Sequence, residues 1–181
     1  MLGIQIPEAF KQRLRSWSGL PQMIAHQLGW WACVLWMEWS GPCVMAGFLL
    51  LHLGLTRTAW RPEVALIAAS TVIGIAVDNT LFTLGAVSYK GTLLVGFTPL
   101  WLVSIWAGFG ATLRHCQAVF VQSPKAALLT GCLGGPAAYW GGERLDRMVI
   151  VDPAGWVAVS VTWTVALLAL QSLSSTLKKD S

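Results

Sequence analysis

The chain has 181 residues, of which 55% are hydrophobic and 11% are charged, and its formal net charge is +4. Soluble domains carry roughly 25% charged residues, so this composition argues against a water-soluble globular domain and indicates a chain surrounded largely by lipid. The basic residues are scattered between apolar stretches instead of forming one stripe, which argues against a nucleic-acid partner.

The first twenty residues predict a short amphipathic helix on the membrane surface. Phe10, Leu14 and Trp17 recur at helical spacing, and the basic residues between them lie off that apolar stripe. A disordered basic leader is the alternative for this segment.

Six apolar stretches predict an all-α, polytopic transmembrane helical bundle, because a helix needs about 20 mostly apolar residues to cross a bilayer. The predicted spans are Gln22–Trp39, Gly41–Thr56, Pro62–Val87, Leu93–Val121, Lys125–Gly142 and Gly155–Leu177. Residues 21–177 then form one transmembrane domain, preceded by an interfacial leader at 1–20 and followed by a cytoplasmic tail at 178–181. Pro99 predicts a kink in the fourth span, and Gly134–Pro136 predicts a bend or a local opening in the fifth.

Basic residues predict the orientation, because Lys and Arg accumulate in cytoplasmic loops. With both termini inside, the outer loops hold only Lys90, Arg144 and Arg147. The inner segments hold Lys11, Arg13, Arg15, Arg57, Arg61, Lys125, Lys178 and Lys179. This asymmetry favours an even number of spans with the N- and C-termini on the cytoplasmic side.

Small residues at four-residue steps predict close helix contacts in the third and fifth spans. The third span carries Ser70, Gly74 and Asp78. The fifth carries one run of Ala127, Gly131 and Gly135, and then a second run of Ala138 and Gly142.

Asp78 is the first catalytic candidate, because an ionisable residue at membrane depth is costly and usually faces the bundle interior. It would act as a general base or carry a proton. The alternatives are a protonated Asp78, an ion pair with Arg144 or Lys90, or a wet cavity around the carboxyl group. Polar and aromatic residues predicted near the same side are substrate-binding candidates: Asn79, Tyr139, Trp140 and Glu143.

His115 is the second catalytic candidate, since it shares a predicted helix face with small and polar residues. Arg114 is a further substrate-binding candidate, although a helix would point it about 100° away from His115. No metal site and no cofactor are predicted, with haem or metal left open. If a metal binds, His26, His52 and His115 are its expected ligands, because all three lie towards the cytoplasmic ends of their spans. Separately hydrogen-bonded imidazoles are the alternative.

Several segments resemble a bacterial family labelled domain of unknown function 2878, and the likeness covers almost the whole chain. They are Thr98–Leu102, Ala111–His115, Gly134–Gly142, His26–Trp31 and Asp78. The resemblance implies a small, multi-pass protein of the bacterial inner membrane with no assigned activity. It also implies lipid chemistry or envelope stress as the setting, because such proteins are often encoded beside fatty-acid-modifying enzymes. Arg114 departs from the polar residue, such as Asn, expected at its position.

Three functions follow from these observations. The first is a membrane enzyme or accessory factor in lipid or fatty-acid modification, with Asp78 and His115 as its leading polar residues. The second is a non-catalytic membrane scaffold. The third is a small transporter, which would act as a dimer because six spans show no evident inverted repeat. The partners considered are membrane lipids, a second copy of the chain, or a lipid-modifying enzyme.

Overall fold

The computed structural model describes residues 17–57, 60–92 and 94–179. The predicted amphipathic leader lies almost entirely outside these residues. The helices are α1 (Leu20–Leu35), α2 (Ser40–Leu55), α3 (Trp60–Thr83), α4 (Leu100–Thr112), α5 (Pro124–Leu129), α6 (Gly135–Arg144) and α7 (Pro153–Lys179). A π-helical turn, Thr130–Gly134, joins α5 to α6, so the described chain forms six helical rods close to the six predicted stretches.

Prolines mark the beginnings of several helices, because the first turn does not need their missing N–H group. Pro21 lies in the first turn of α1, and Pro153 begins α7. Pro124 begins α5, where Ser123 Oγ accepts a hydrogen bond from the Ala126 N–H at 3.2 Å. Pro136 lies just after the π-helical turn, so the α-helical pattern of the fifth span is interrupted immediately before the position at which a bend or local opening was predicted, Gly134–Pro136.

The prediction for the fourth span was wrong at both ends. A hairpin of β2 (Leu94–Val95) and β3 (Thr98–Pro99) precedes α4, so Pro99 caps the beginning of this helix and does not kink it. After Thr112 the chain turns and forms a 3₁₀-helix, Ala118–Val121. Hydropathy alone cannot separate a short apolar hairpin from a helix, because strand pairing is a contact between segments.

One end of the molecule, here named the strand end, ties three loops together. There, β1 (Val87–Tyr89) pairs antiparallel with β4 (Met148–Ile150), which the all-α prediction did not include. Lys90 Nζ lies 2.6 Å from Asp146 Oδ1, and this ion pair lowers the pKa of Asp146. Thr92 donates its backbone N–H and its hydroxyl to the Glu38 carboxylate at 3.1 and 2.7 Å. The loops predicted to share the outer side therefore meet at one end.

Two of the described helices, α3 and α7, are long and apolar enough to cross a membrane by length and composition. The apolar helices α2 and α4 are shorter, at 16 and 13 residues. Many large apolar side chains are exposed on the outside of the molecule, including those of Leu50, Val72 and Val165.

The small-residue ladder of α3 forms a socket for one tryptophan of α4. Ser70 Oγ donates to the Trp106 carbonyl at 2.7 Å, and Asp78 Oδ2 accepts the Trp106 indole N–H at 2.9 Å. Between them, a Cβ on Gly74 would lie 2.1 Å from the Trp106 ring. In the same way, Gly131 and Gly135 lie directly against α7 at Thr164 and Trp163. Gly74 of the first ladder, and Gly131 and Gly135 of the second, therefore lie at close helix contacts.

Candidate functional site

A buried carboxylate with three donors, the aspartate cluster, lies between α3, α4 and α6. Asp78 is fully buried. Its Oδ1 accepts hydrogen bonds from the hydroxyl of Tyr139 and, at 3.1 Å, from that of Tyr89, while Oδ2 accepts the Trp106 N–H. Burial first, and then the nearby carboxylate, raises the pKa of Tyr89, so this hydroxyl remains protonated and can donate. The cluster gives the carboxylate hydrogen bonds in place of a counter-ion.

The cations considered for Asp78 lie elsewhere. Lys90 pairs with Asp146, and the Arg144 guanidinium lies 5.4 Å from the centre of the Trp140 ring. Of the alternatives for Asp78, the ion pair is therefore not the one that the structure forms.

The other substrate-binding candidates on this side occupy separate places. Asn79 Oδ1 accepts the Phe97 backbone N–H at 2.6 Å and so holds the β2–β3 hairpin. Glu143 Oε1 accepts the Ile150 N–H at 2.9 Å. Trp140 is exposed. Of these candidates, only Tyr139 joins the aspartate cluster.

A cavity of about 580 Å³ lies beside the aspartate cluster. Its walls come from α1, α4, the α5–α6 rod and Trp163 of α7. They are mainly aromatic and aliphatic, and they include Trp30, Trp106, Phe109 and Tyr139. Tyr139 and Trp106 therefore contact both Asp78 and the cavity, which places the carboxylate directly behind the cavity wall.

Two wall residues carry buried nitrogen atoms without hydrogen-bond partners among the described residues. They are both ring nitrogens of His26 and the indole Nε1 of Trp163. His26 packs against Phe48, with 5.7 Å between ring centres. Leaving a buried polar atom unpaired costs about 1–3 kcal/mol, so both side chains could gain from a polar atom of a ligand.

A second polar group, the histidine cluster, lies at the end opposite the strands. Glu63 accepts from His52 Nε2 at 3.2 Å through Oε2 and from His115 Nε2 at 3.1 Å through Oε1. Glu63 and His52 are almost completely buried, and His115 retains 14% side-chain exposure. The structure thus joins two of the three predicted histidines to a carboxylate, whereas His26 lies apart from them at the cavity.

Arg114 and His115 approach the same carboxylate oxygen, contrary to the helical prediction. Arg114 Nε lies 3.8 Å from Glu63 Oε1, the oxygen that His115 also contacts. Because α4 ends at Thr112, the 100° rule for neighbouring helical residues does not apply to them. Arg114 is largely buried, and its Nη1 has no hydrogen-bond partner within the described part of the chain.

Gln22 holds His52 in position through Nδ1, the ring nitrogen that does not face Glu63. Its Nε2 lies 3.1 Å from both His52 Nδ1 and the Ala111 carbonyl, and its Oε1 accepts the Cys116 backbone N–H at 3.1 Å. The Trp17 indole N–H also points at His52 Nδ1, at 3.4 Å. Two donors at Nδ1 favour the tautomer in which His52 carries its proton on Nε2 and donates it to Glu63.

Sequence reasoning missed Glu63 and Gln22 as members of this cluster. In the sequence, Glu63 already has a simpler explanation, because an acidic side chain near a helix N-terminus interacts favourably with the helix dipole. Depth along the span was the available signal, since Gln22 and Glu63 begin their spans on the side where His52 and His115 end theirs.

Comparison with known proteins gives a family but no activity. The family described as Protein of unknown function (DUF2878) matches residues 20–169, in agreement with the resemblance drawn from the sequence. No curated protein matches the chain. No solved structure matches it either.

Proposed function

Because the chain belongs to the DUF2878 family, which carries no assigned activity, we propose a function from the geometry of its cavity. The protein is a six-span membrane protein with both termini inside, and its cavity takes up the hydrocarbon chain of a lipid or a similar apolar molecule. The observation that carries this proposal is the 580 Å³ aromatic cavity, whose volume falls within the range of about 300–1,000 Å³ typical of ligand sites.

The shape of the cavity supports a chain-like ligand. Along α1 its wall extends from His26 to Val34, and along α4 from Trp101 to Phe109. Eight residues of helix correspond to about 12 Å. The cavity therefore follows the helix axes over about two turns, as an acyl chain lying parallel to its neighbours in a bilayer would.

The helix arrangement supports entry from the side. α1 packs on α2 and α4, whereas the α5–α6 rod packs on α7. The cavity lies between these two groups, and exposed residues Gln27, Leu133 and Ala138 lie along its edges. In a membrane, these edges would face lipid.

Tyr139 gives the cavity a polar contact. Its hydroxyl donates to Asp78, so its remaining lone pair can accept from a hydroxyl group of the ligand. A role for Asp78 in chemistry would then act through Tyr139. His115 contacts Glu63 and is not part of the cavity wall, so its catalytic role is a separate prediction.

Two adjacent alanines provide the test of the cavity. Ala138 and Ala137 are both exposed on α6, but only Ala138 lines the cavity. The protein, Ala138→Trp and the control Ala137→Trp would be purified in a mild detergent, and bound lipid would be counted by native mass spectrometry. We expect about one bound apolar ligand per chain in the unchanged protein and in Ala137→Trp. In Ala138→Trp, the amount of bound ligand should fall several-fold. Equal ligand content in all three would contradict the proposal.

Single-cysteine labelling in intact cells tests the topology, starting from a chain with its four cysteines replaced by serine. A membrane-impermeant maleimide should label Lys90→Cys and spare Lys125→Cys. The reverse labelling pattern would show that the orientation is the opposite of the proposed one. Labelling of both positions would contradict the six-span arrangement.

A further inference from the structure

The donor atoms of the histidine cluster are spaced like the ligands of a metal ion. His52 Nε2, His115 Nε2 and a carboxylate oxygen of Glu63 all lie within 4.8 Å of one another. His52 Nε2 lies 3.2 Å from Glu63 Oε2, and His115 Nε2 lies 3.1 Å from Glu63 Oε1, so each imidazole faces a different oxygen of the same carboxylate. Metal bonds of about 2.0–2.1 Å in tetrahedral geometry place neighbouring ligand atoms about 3.3–3.4 Å apart. The existing separations differ from that value by only a few tenths of an ångström.

We propose that His52, His115 and Glu63 bind one divalent transition-metal ion. Two imidazoles and one carboxylate suit Zn²⁺, Fe²⁺ or Mn²⁺. Three protein ligands leave at least one coordination position for water or a substrate, as in catalytic metal sites. His115 is the most exposed of the three, so that position would open on its side.

The competing interpretation is a hydrogen-bonded cluster without a metal, and two observations favour it. The Arg114 guanidinium, 3.8 Å from Glu63, already offers the carboxylate a positive charge. In addition, the donors at His52 Nδ1 hold the proton on Nε2, the nitrogen that must bind the metal.

Gln22 decides between the two states. Metal binding moves the His52 proton to Nδ1, so the Trp17 N–H must leave that nitrogen and Gln22 must turn its Oε1 towards it, at the expense of the Gln22 contacts with Ala111 and Cys116. A carboxylate at this place would accept the Nδ1 proton directly and raise the basicity of the ligand, an arrangement that commonly changes metal affinity by about 10–100-fold. Gln22→Glu should therefore bind metal more tightly than the unchanged protein.

The experiment uses the full chain in detergent, with any affinity tag removed, after treatment with a chelator. Co²⁺ is titrated in, its visible absorption bands report the coordination geometry, and Zn²⁺ is then added as a competitor. We expect about one Co²⁺ per chain with bands of a four- or five-coordinate site. Glu63→Gln and His115→Ala should weaken binding at least tenfold, and Gln22→Glu should strengthen it about tenfold.

Asp146→Asn is the control, because Asp146 is an exposed carboxylate at the strand end, outside the cluster, and its substitution should leave Co²⁺ binding unchanged. If Glu63→Gln does not fold, the partly exposed His115→Ala decides. A folded protein that binds no stoichiometric Co²⁺ would overturn the proposal. So would binding that survives in His115→Ala, or an affinity that does not increase in Gln22→Glu. Each of these measurements reports Co²⁺ binding and not bound lipid. A failure of the metal-site proposal can therefore be told apart from a failure of the proposed lipid-binding cavity.

Discussion

Replacing Gly74 by alanine should strongly destabilise the protein, because the Trp106 ring occupies the space of the new methyl group. The added Cβ would lie 2.1–2.4 Å from three ring atoms, whereas ordinary contacts are 3.4–4 Å. The ring would therefore have to move by more than an ångström. It cannot move freely, because Ser70 binds the Trp106 carbonyl and Asp78 binds its indole N–H.

The expected cost has two parts. Overpacking of a tight core costs about 1–3 kcal/mol. Leaving the buried indole N–H of Trp106 without its Asp78 acceptor costs about 1–3 kcal/mol. The free energy of unfolding should therefore fall by about 2–6 kcal/mol. For a chain of this size, that corresponds to a melting temperature about 4–24 °C lower.

Thermal unfolding in detergent, followed by circular dichroism, measures this shift. Gly47→Ala is the control, since Gly47 lies in α2 with nothing within 4 Å of an added Cβ. A helical Gly→Ala change without a clash should shift the free energy of unfolding by about 1 kcal/mol or less, in the stabilising direction.

A double-mutant cycle identifies the clash as the cause. Trp106→Ala removes the ring atoms Cγ, Cδ1 and Cδ2 that the added methyl group would meet, so Gly74→Ala should cost little further stability in that background. Equal melting temperatures for Gly74→Ala and Gly47→Ala would refute the steric reasoning. So would strictly additive effects of the substitutions at Gly74 and Trp106.

Three further predictions concern individual contacts. Lys90→Ala should leave the melting temperature almost unchanged, since its partner Asp146 is 80% exposed and water screens the ion pair, and melting curves at low and high salt check this. Glu143→Ala should remove the acceptor of the Ile150 N–H and speed hydrogen exchange across β4, while exchange in α7 stays unchanged. Tyr139→Phe removes one of three donors to the buried carboxylate and should lower the free energy of unfolding by about 1–3 kcal/mol, measured by thermal unfolding against Gly47→Ala.

The sequence predicted those parts of the fold that depend on local signals. Apolar length, prolines and glycines located most helices to within a few residues, and Pro136 marked the opening between α5 and α6. The fourth span was wrong because the β2–β3 hairpin and the turn after Thr112 depend on contacts with other segments. Asn79, which binds the Phe97 N–H from α3, is one such contact.

For the candidate sites, the sequence could predict only how deep each residue lies along the helix bundle, and not which residues meet. Sequence positions placed His52 and His115 near the same end of the bundle, but lateral packing decides that they meet Glu63 while His26 faces the cavity. For Asp78, the basic residues nearest in the predicted topology were plausible partners. The structure supplies aromatic donors instead, because α4 and α6 approach α3 where its small residues allow close contact.

Trp106 makes the stability of the helix bundle and the occupancy of the cavity interdependent. Its ring forms part of the cavity wall while its polar atoms join α4 to α3. By thermodynamic linkage, a molecule that binds only the folded chain stabilises it by RT ln(1 + [L]/Kd), about 2.7 kcal/mol at a free concentration 100 times the Kd. Substitutions at Asp78 that release the Trp106 indole would let this part of the cavity wall shift, and they should therefore weaken ligand affinity without any direct contact between Asp78 and the ligand. Protein stripped of its ligand should melt at a lower temperature and recover when the ligand is returned.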